Sequence, residues 1–210
     1  MKVYGNMIKF LSSNLFYGKI MTDSFEKFEI FLKSVDEDIT KIFDYHKEYL
    51  FCKKGCSICC EIGDYPLSKL EFDYLMSGYE KLDDSVKTQI QKNIKKTKEE
   101  NKEFYVCPFL INNACSVYKN RPFICRTFGV LTEDDNGNPK FPHCATKGLN
   151  FSQIYDKEKK HLSAELVEKN HFKNFPRIFR LHNNVIMGLP LAKQLNIDFG
   201  EIKRLIDFFK

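Results

Sequence analysis

Eight cysteines dominate the chemistry available to this chain, and they fall into two groups. The first is Cys52-Lys-Lys-Gly-Cys56-Ser-Ile-Cys59-Cys60. The second begins at Cys107, continues through Cys115 and Cys125, and ends at Cys144. Thiolates bind soft metals, and the two-residue gap between Cys56 and Cys59 lets two sulfurs reach one ion without strain. Gly55 permits the positive φ that a tight ligand loop needs. Cys59 and Cys60 are adjacent, so their side chains diverge. Either they serve different centres, or one ligates while the other packs beneath it. Eight thiols exceed what one four-ligand site requires, which predicts two centres or one centre with a spare set.

Zinc and iron–sulfur are the two candidate cargoes. A paired zinc ribbon would show two short Cys-x2-Cys knuckles, and the second group here is too loosely spaced for one. Irregular all-thiolate ligation suits an iron–sulfur cluster better, and the reading leans that way. Cys52, Cys56 and Cys59 share the spacing of radical S-adenosylmethionine enzymes. Nothing in the sequence suggests the strand–helix barrel that normally houses that motif, so the spacing is read as coincidental. Disulfides are the competing use of cysteine, but they do not persist in a reducing cytosol.

Other residues support the cysteines. Arg121 and Arg126 flank Cys125 and are candidates either to contact an anion beside the centre, to tune its sulfurs, or to brace the loop by an ion pair. His143 could replace a thiolate beside Cys144, although the thiols suffice in number and a supporting or surface role is simpler. His46 is read as a packed core histidine, and Tyr118 as a packed ring with a bonded hydroxyl.

These motifs resemble the YkgJ-type cysteine-cluster family, whose members are named for zinc or iron chelation and whose domain is shared with the flagellin lysine N-methylases. The resemblance runs from about Phe51 to Cys144. It is carried by FCKKGCSICC and by the CPFL, NAC, Tyr118 and Arg-Pro-x-x-Cys-Arg elements in order. It implies that Cys52, Cys56, Cys59, Cys60, Cys107, Cys115 and Cys125 are the cluster cysteines, that Arg121 and Arg126 are the family's arginines, and that Cys144 is a later, looser member.

The elements that must position these residues are mostly helical. Phe25, Phe28, Leu32, Val35, Ile39 and Ile42 alternate at spacings of three and four, which predicts an amphipathic helix over 23–50, capped by Asp23 or Ser24, that leads into Cys52. Ser68 and Glu71 form a capping box opening a helix to about Leu82. Asp83 and Asp84 precede another, with Val86, Ile90 and Ile94 on one face and a Lys/Glu-rich remainder read as solvated. Prolines break 107–144 into loops, with a small hairpin across Asn136-Gly137 between FGVL and PKF. Helices are expected again over 151–172 and from Phe199 to Lys210.

The expected fold is therefore mainly α, a helical domain wrapped around a loop-built cysteine metal centre. It divides into an N-terminal amphipathic segment (1–50), a cysteine-cluster core (51–148) and a C-terminal helical extension packing on the core (149–210). The 210 residues carry 20 Phe, 10 Tyr and a formal charge of only +5 from interspersed Lys and Glu. That composition fits an ordinary folded protein and does not by itself argue for nucleic acid, which is expected not to be the partner. No run approaches the roughly 20 apolar residues of a membrane span. The N-terminus lacks a small-residue cleavage site, so a cytoplasmic location is expected.

The functional expectation is a metal-binding protein holding an iron–sulfur cluster or Zn2+, with a protein partner as a candidate and no membrane. One alternative, from the resemblance, is a protein-lysine N-methyltransferase-like enzyme, although no Gly-rich strand–turn–helix for S-adenosylmethionine is present. Another is a zinc-stabilised interaction module acting through the basic helix at 87–102. Whether the chain is an enzyme is left open, and no catalytic residue is assigned.

Overall fold

The structure, a computed structural model, describes residues 4–53, 55–134, 136–173 and 175–209, with side chains from residue 23 onward. It is mainly helical with little sheet. The helices are α1 (Tyr4–Tyr45), α2 (Ile58–Glu61), α3 (Lys69–Tyr79), α4 (Asp84–Glu100), α5 (Phe123–Arg126), α6 (Ala164–Lys169), α7 (Asn183–Met187) and α8 (Pro190–Gln194). The strands pair only as two-stranded antiparallel ribbons: β1 (Pro66–Ser68) with β8 (Ile202–Arg204), β2 (Leu110–Ile111) with β3 (Ala114–Cys115), β4 (Thr132–Glu133) with β5 (Pro139–Lys140), and β6 (Tyr155–Asp156) with β7 (His161–Leu162).

The predicted stripe on α1 is the buried one. Phe28, Leu32, Val35 and Ile39 pack with Phe123, Ile186 and Ala192, joined by Phe31, which the stripe omitted. The helix does not start at an Asp23 or Ser24 cap, because it is continuous from Tyr4. It ends at Tyr45, and a 3-10 turn at Lys47–Tyr49 carries the chain to Cys52.

The capping box at Ser68 is complete, with Ser68 and Glu71 exchanging both of its bonds. α4 begins where predicted. Its Ile90 is buried among Tyr65, Leu67, Leu75, Tyr79 and Phe109, while Lys95 and Lys96 pair with Glu99 and Glu100 on the outer face. Among the described residues, no helix is long and apolar enough to cross a membrane.

Three expectations are corrected. Residues 151–172 are mostly turn and hairpin, with helix confined to α6, because Asp156 Oδ1 accepts from both Glu158 N and Lys159 N and folds the chain back. Lys160 then takes a positive φ. The C-terminal segment is not a helix. Gly200 turns it at φ +67, β8 pairs with β1, and a 3-10 turn at Leu205–Phe208 follows. The hairpin across Gly137 forms two residues further on than FGVL, between Thr132–Glu133 and Pro139–Lys140, and its turn is closed by Asp134 bonds to Asn136 N and Asn138 N.

Candidate metal centre

Three short segments bring one set of thiols around α2. Gly63 and Tyr105 exchange both backbone hydrogen bonds, and Cys107 N donates to Cys60 O at 2.8 Å. This small ladder lays Cys107 against the helical turn that carries Cys59 and Cys60. Gly63 is required there, since a Cβ would sit 2.8 Å from the Tyr65 ring. Tyr65 in turn donates to Cys59 O at 3.4 Å.

Cys115 arrives on β3, in register with Leu110 across a turn whose Asn112 and Asn113 both have positive φ. Paired asparagines suit such a turn. That dipeptide was the available signal for a hairpin the sequence reading missed. Pro122 opens the single turn of α5, which presents Cys125. The Phe123 N–H donates to Glu71 Oε1 at 2.7 Å, so the capped start of α3 holds α5 in place.

Cys59, Cys60, Cys107, Cys115 and Cys125 form this inner set. Their electrostatic neighbours are one another: Cys60 lies in reach of Cys59, Cys107 and Cys125, and Cys125 in reach of Cys107, Cys115 and Cys59. Sγ of Cys59 and Sγ of Cys60 stand 3.8 Å apart. The bond between them holds the Cys59 thiol down, to about 7, and pushes Cys60 up. Burial pushes Cys107 up to about 12 and raises Cys115 and Cys125 as well. An unaccompanied thiolate is costly in such a place; a bound cation offsets that cost.

Cys52, Cys56 and Cys144 form the outer set. Cys52 is exposed, Cys56 half-buried and Cys144 buried. Cys52 and Cys56 lie in electrostatic reach of each other and of Cys144. Burial and then Cys52 raise the Cys144 thiol to about 11. Gly55, at φ +91, turns the loop that joins Cys52 to Cys56, and Cys56 N donates to Lys53 O.

All eight cysteines are free thiols. As they are placed, no three Cys, His, Asp or Glu among the described residues stand close enough to hold an ion. The donor chemistry of both sets nevertheless fits a thiophilic metal: sulfurs only, in mutual reach, and more numerous than packing alone would gather. Binding would close the last distance between sulfurs.

The two arginines separate. Arg126 is buried and fully engaged, donating to Arg121 O and Lys119 O and pairing with Asp36 on α1. It braces the loop. Arg121 is half-buried, lies 4.0 Å over the Tyr118 ring, and is the cation in reach of Cys59, Cys115 and Cys125. Tyr118 is therefore not a packed ring but an exposed platform for Arg121. His143 is exposed beside Cys144. His46 is wholly buried, with Nε2 at 2.8 Å from Arg177 O and its ring against Phe151 and Phe179.

Sequence reasoning missed Asn150. It is fully buried and accepts from Phe51 N and Cys52 N while donating to Gly129 O at 2.8 Å. Gly129 lies at φ +97, and a Cβ there would meet Asn150 Nδ2 at 2.9 Å.

The fold and these sites define a mainly helical protein whose thiols are presented by short turns, single helical turns and a hairpin. Residues 51–145 match the family model CxxCxxCC, described as a putative zinc- or iron-chelating domain, and this is the stretch that carries the resemblance to the cysteine-cluster proteins. No curated protein and no solved structure matches the chain.

Proposed function

We propose that this chain is a metal-centre protein whose inner thiols, Cys59, Cys60, Cys107, Cys115 and Cys125, hold an iron–sulfur cluster, with zinc as the competing cargo. The observation that carries the reading is the gathering of these free thiols around one helical turn from segments as far apart in sequence as α2 and α5. Their irregular spacing favours a cluster over a zinc knuckle. The metal supplies redox or Lewis-acid chemistry when bound. The chain supplies an apolar surround from Tyr65, Tyr105 and Phe109, and one cation, Arg121, facing the sulfurs.

Protein purified without oxygen tests this directly. A brown sample with broad visible absorbance, iron and acid-labile sulfide in comparable amounts is the expected result. Stoichiometric zinc in a colourless sample would replace the cluster with a zinc site. Neither metal above trace would sink the reading.

A further inference from the structure

We propose that the outer face of the ladder at Gly63 and Tyr105 is a docking surface for another protein, and that it takes a segment whose apolar side chains are flanked by lysine or arginine.

Side chains alternate across paired segments, so the neighbours of Gly63 and Tyr105 share the face opposite the Tyr105 ring. Tyr105 is buried, which turns that face outward. The pairing is antiparallel and therefore sets Ile62 opposite Val106, and Asp64 opposite Phe104. An antiparallel pair with one face on the core ordinarily shows polar side chains to water. Here Ile62, Val106 and Phe104 are 41, 54 and 53% exposed. Single exposed apolar residues are common, but neighbouring ones mark contact surfaces.

The face is also stiff. Gly63 and Tyr105 exchange both backbone bonds, and the Tyr105 hydroxyl donates to Asp64 O at 3.1 Å while accepting from Ile206 N at 3.2 Å. Arg204 Nη2 pins the strand's approach, donating to Lys102 O at 2.8 Å and Glu103 O at 3.1 Å. Side chains on a fixed backbone lose little freedom when a partner covers them.

Charge says what covers them. Glu61 and Glu103 are exposed and adjoin Ile62 and Phe104 in the chain, and half-buried Asp64 completes the face. None of these carboxylates has an ion-pair partner among the described residues. Glu61 accepts only from Ser57 Oγ, Lys102 turns to Glu100, and Arg204 is engaged by main-chain carbonyls. On a chain of formal charge +5 this is a local reversal of sign. It repels nucleic acid and anionic lipid, and a second copy docked through the same face would set one acidic rim against another. Apolar tips ringed by Lys or Arg complement it, and the rim charges steer their approach. The ladder also holds Cys107 against Cys60, so such a partner would sit beside the inner thiols, and docking itself needs no metal.

A random peptide library displayed on phage and selected on the full chain tests this. Enriched sequences should combine Leu, Ile or Phe with Lys or Arg. A synthetic peptide of an enriched sequence, followed by fluorescence anisotropy, should bind Phe104→Ser about tenfold more weakly, at an exposed position that leaves the Tyr105 bonds in place. Glu61→Lys together with Glu103→Lys should cost a similar factor and should make a twin peptide, with Glu for each Lys and Arg, the tighter ligand. No enrichment, enrichment without basic residues, or unchanged affinity in either variant would overturn the proposal. A dimer in sedimentation that Phe104→Ser disperses would give the face to a second copy. Binding to zwitterionic vesicles that the same change abolishes would give it to a lipid surface, and either result overturns the protein partner.

Discussion

The inner and outer thiols share a ligand chemistry and differ in what holds them. Cys60 and Cys107 are part of the apolar core with Tyr65, Leu67, Ile90 and Phe109, and their turns are fixed by backbone pairing and by the capped start of α3. Cys52 is exposed and Cys56 half-buried, and Cys52 N is anchored on the buried side chain of Asn150. Packing therefore places one set and a polar clamp the other. A set placed by packing couples metal loss to the core; one placed by a clamp can lose its metal and leave the core intact.

The largest effect that could break this contrast comes from the ligands. Cys125→Ser should remove a sizeable part of the roughly 10 kcal/mol that a thiolate metal site contributes to folding. Cys52→Ser should cost less, because the core stays folded without whatever ion Cys52 helps to bind. Urea denaturation of metal-loaded protein measures both, and equal losses would erase the distinction.

The arginines give a smaller effect of the same kind. Arg126→Met strands the carbonyls of Lys119 and Arg121 and the Asp36 carboxylate, and should cost about 2–3 kcal/mol. Arg121→Gln should cost less than about 0.5 kcal/mol yet shift the absorption of the bound metal, because it withdraws the cation facing Cys59 and Cys115. A large stability loss at Arg121 would count against its place at the surface of the site.

The smallest effects are in pH, and they have opposite signs on the two sides. His46 supports the outer side through Phe151, and burial holds its pKa below 6.5. In that window the unfolded chain binds the extra proton, so its contribution is present above pH 6.5 and lost as pH falls toward the folded value. Glu71 supports the inner side through Phe123, and burial raises its pKa above 4.5. Here the folded state holds the extra proton, so its contribution is full below 4.5 and lost as pH rises through the folded value. Urea midpoints of metal-free protein across this range check both. The wild-type advantage over His46→Gln should shrink on acidification, and that over Glu71→Gln should grow.

How much of this was legible in the sequence depends on distance along the chain. The Ser68 capping box, the face of α4 and the stripe from Phe28 to Ile39 were readable because their partners lie within a few residues. The cysteine density pointed to metal ligation, but Cys59 and Cys60 do not diverge as expected: their sulfurs stand 3.8 Å apart within one set. The β1–β8 pairing was not readable, since Leu67 meets Lys203 across most of the chain, and it overrode the amphipathic pattern of the last residues. Asp156 likewise overrode a helical pattern with one local turn. Asn150 gave no signal at all: in Leu-Asn-Phe nothing marks it, and only the folded contacts with Phe51, Cys52 and Gly129 reveal it.

The contact between Gly129 and Asn150 has a consequence for how the two positions are inherited. Gly129 lies within the matched family stretch and Asn150 lies just beyond it. A side chain at 129 would strike the Asn150 amide and would be strained at φ +97. Gly129 therefore cannot gain a side chain while Asn150 stays. Relatives that keep an amide at the position of Asn150 should keep glycine at 129.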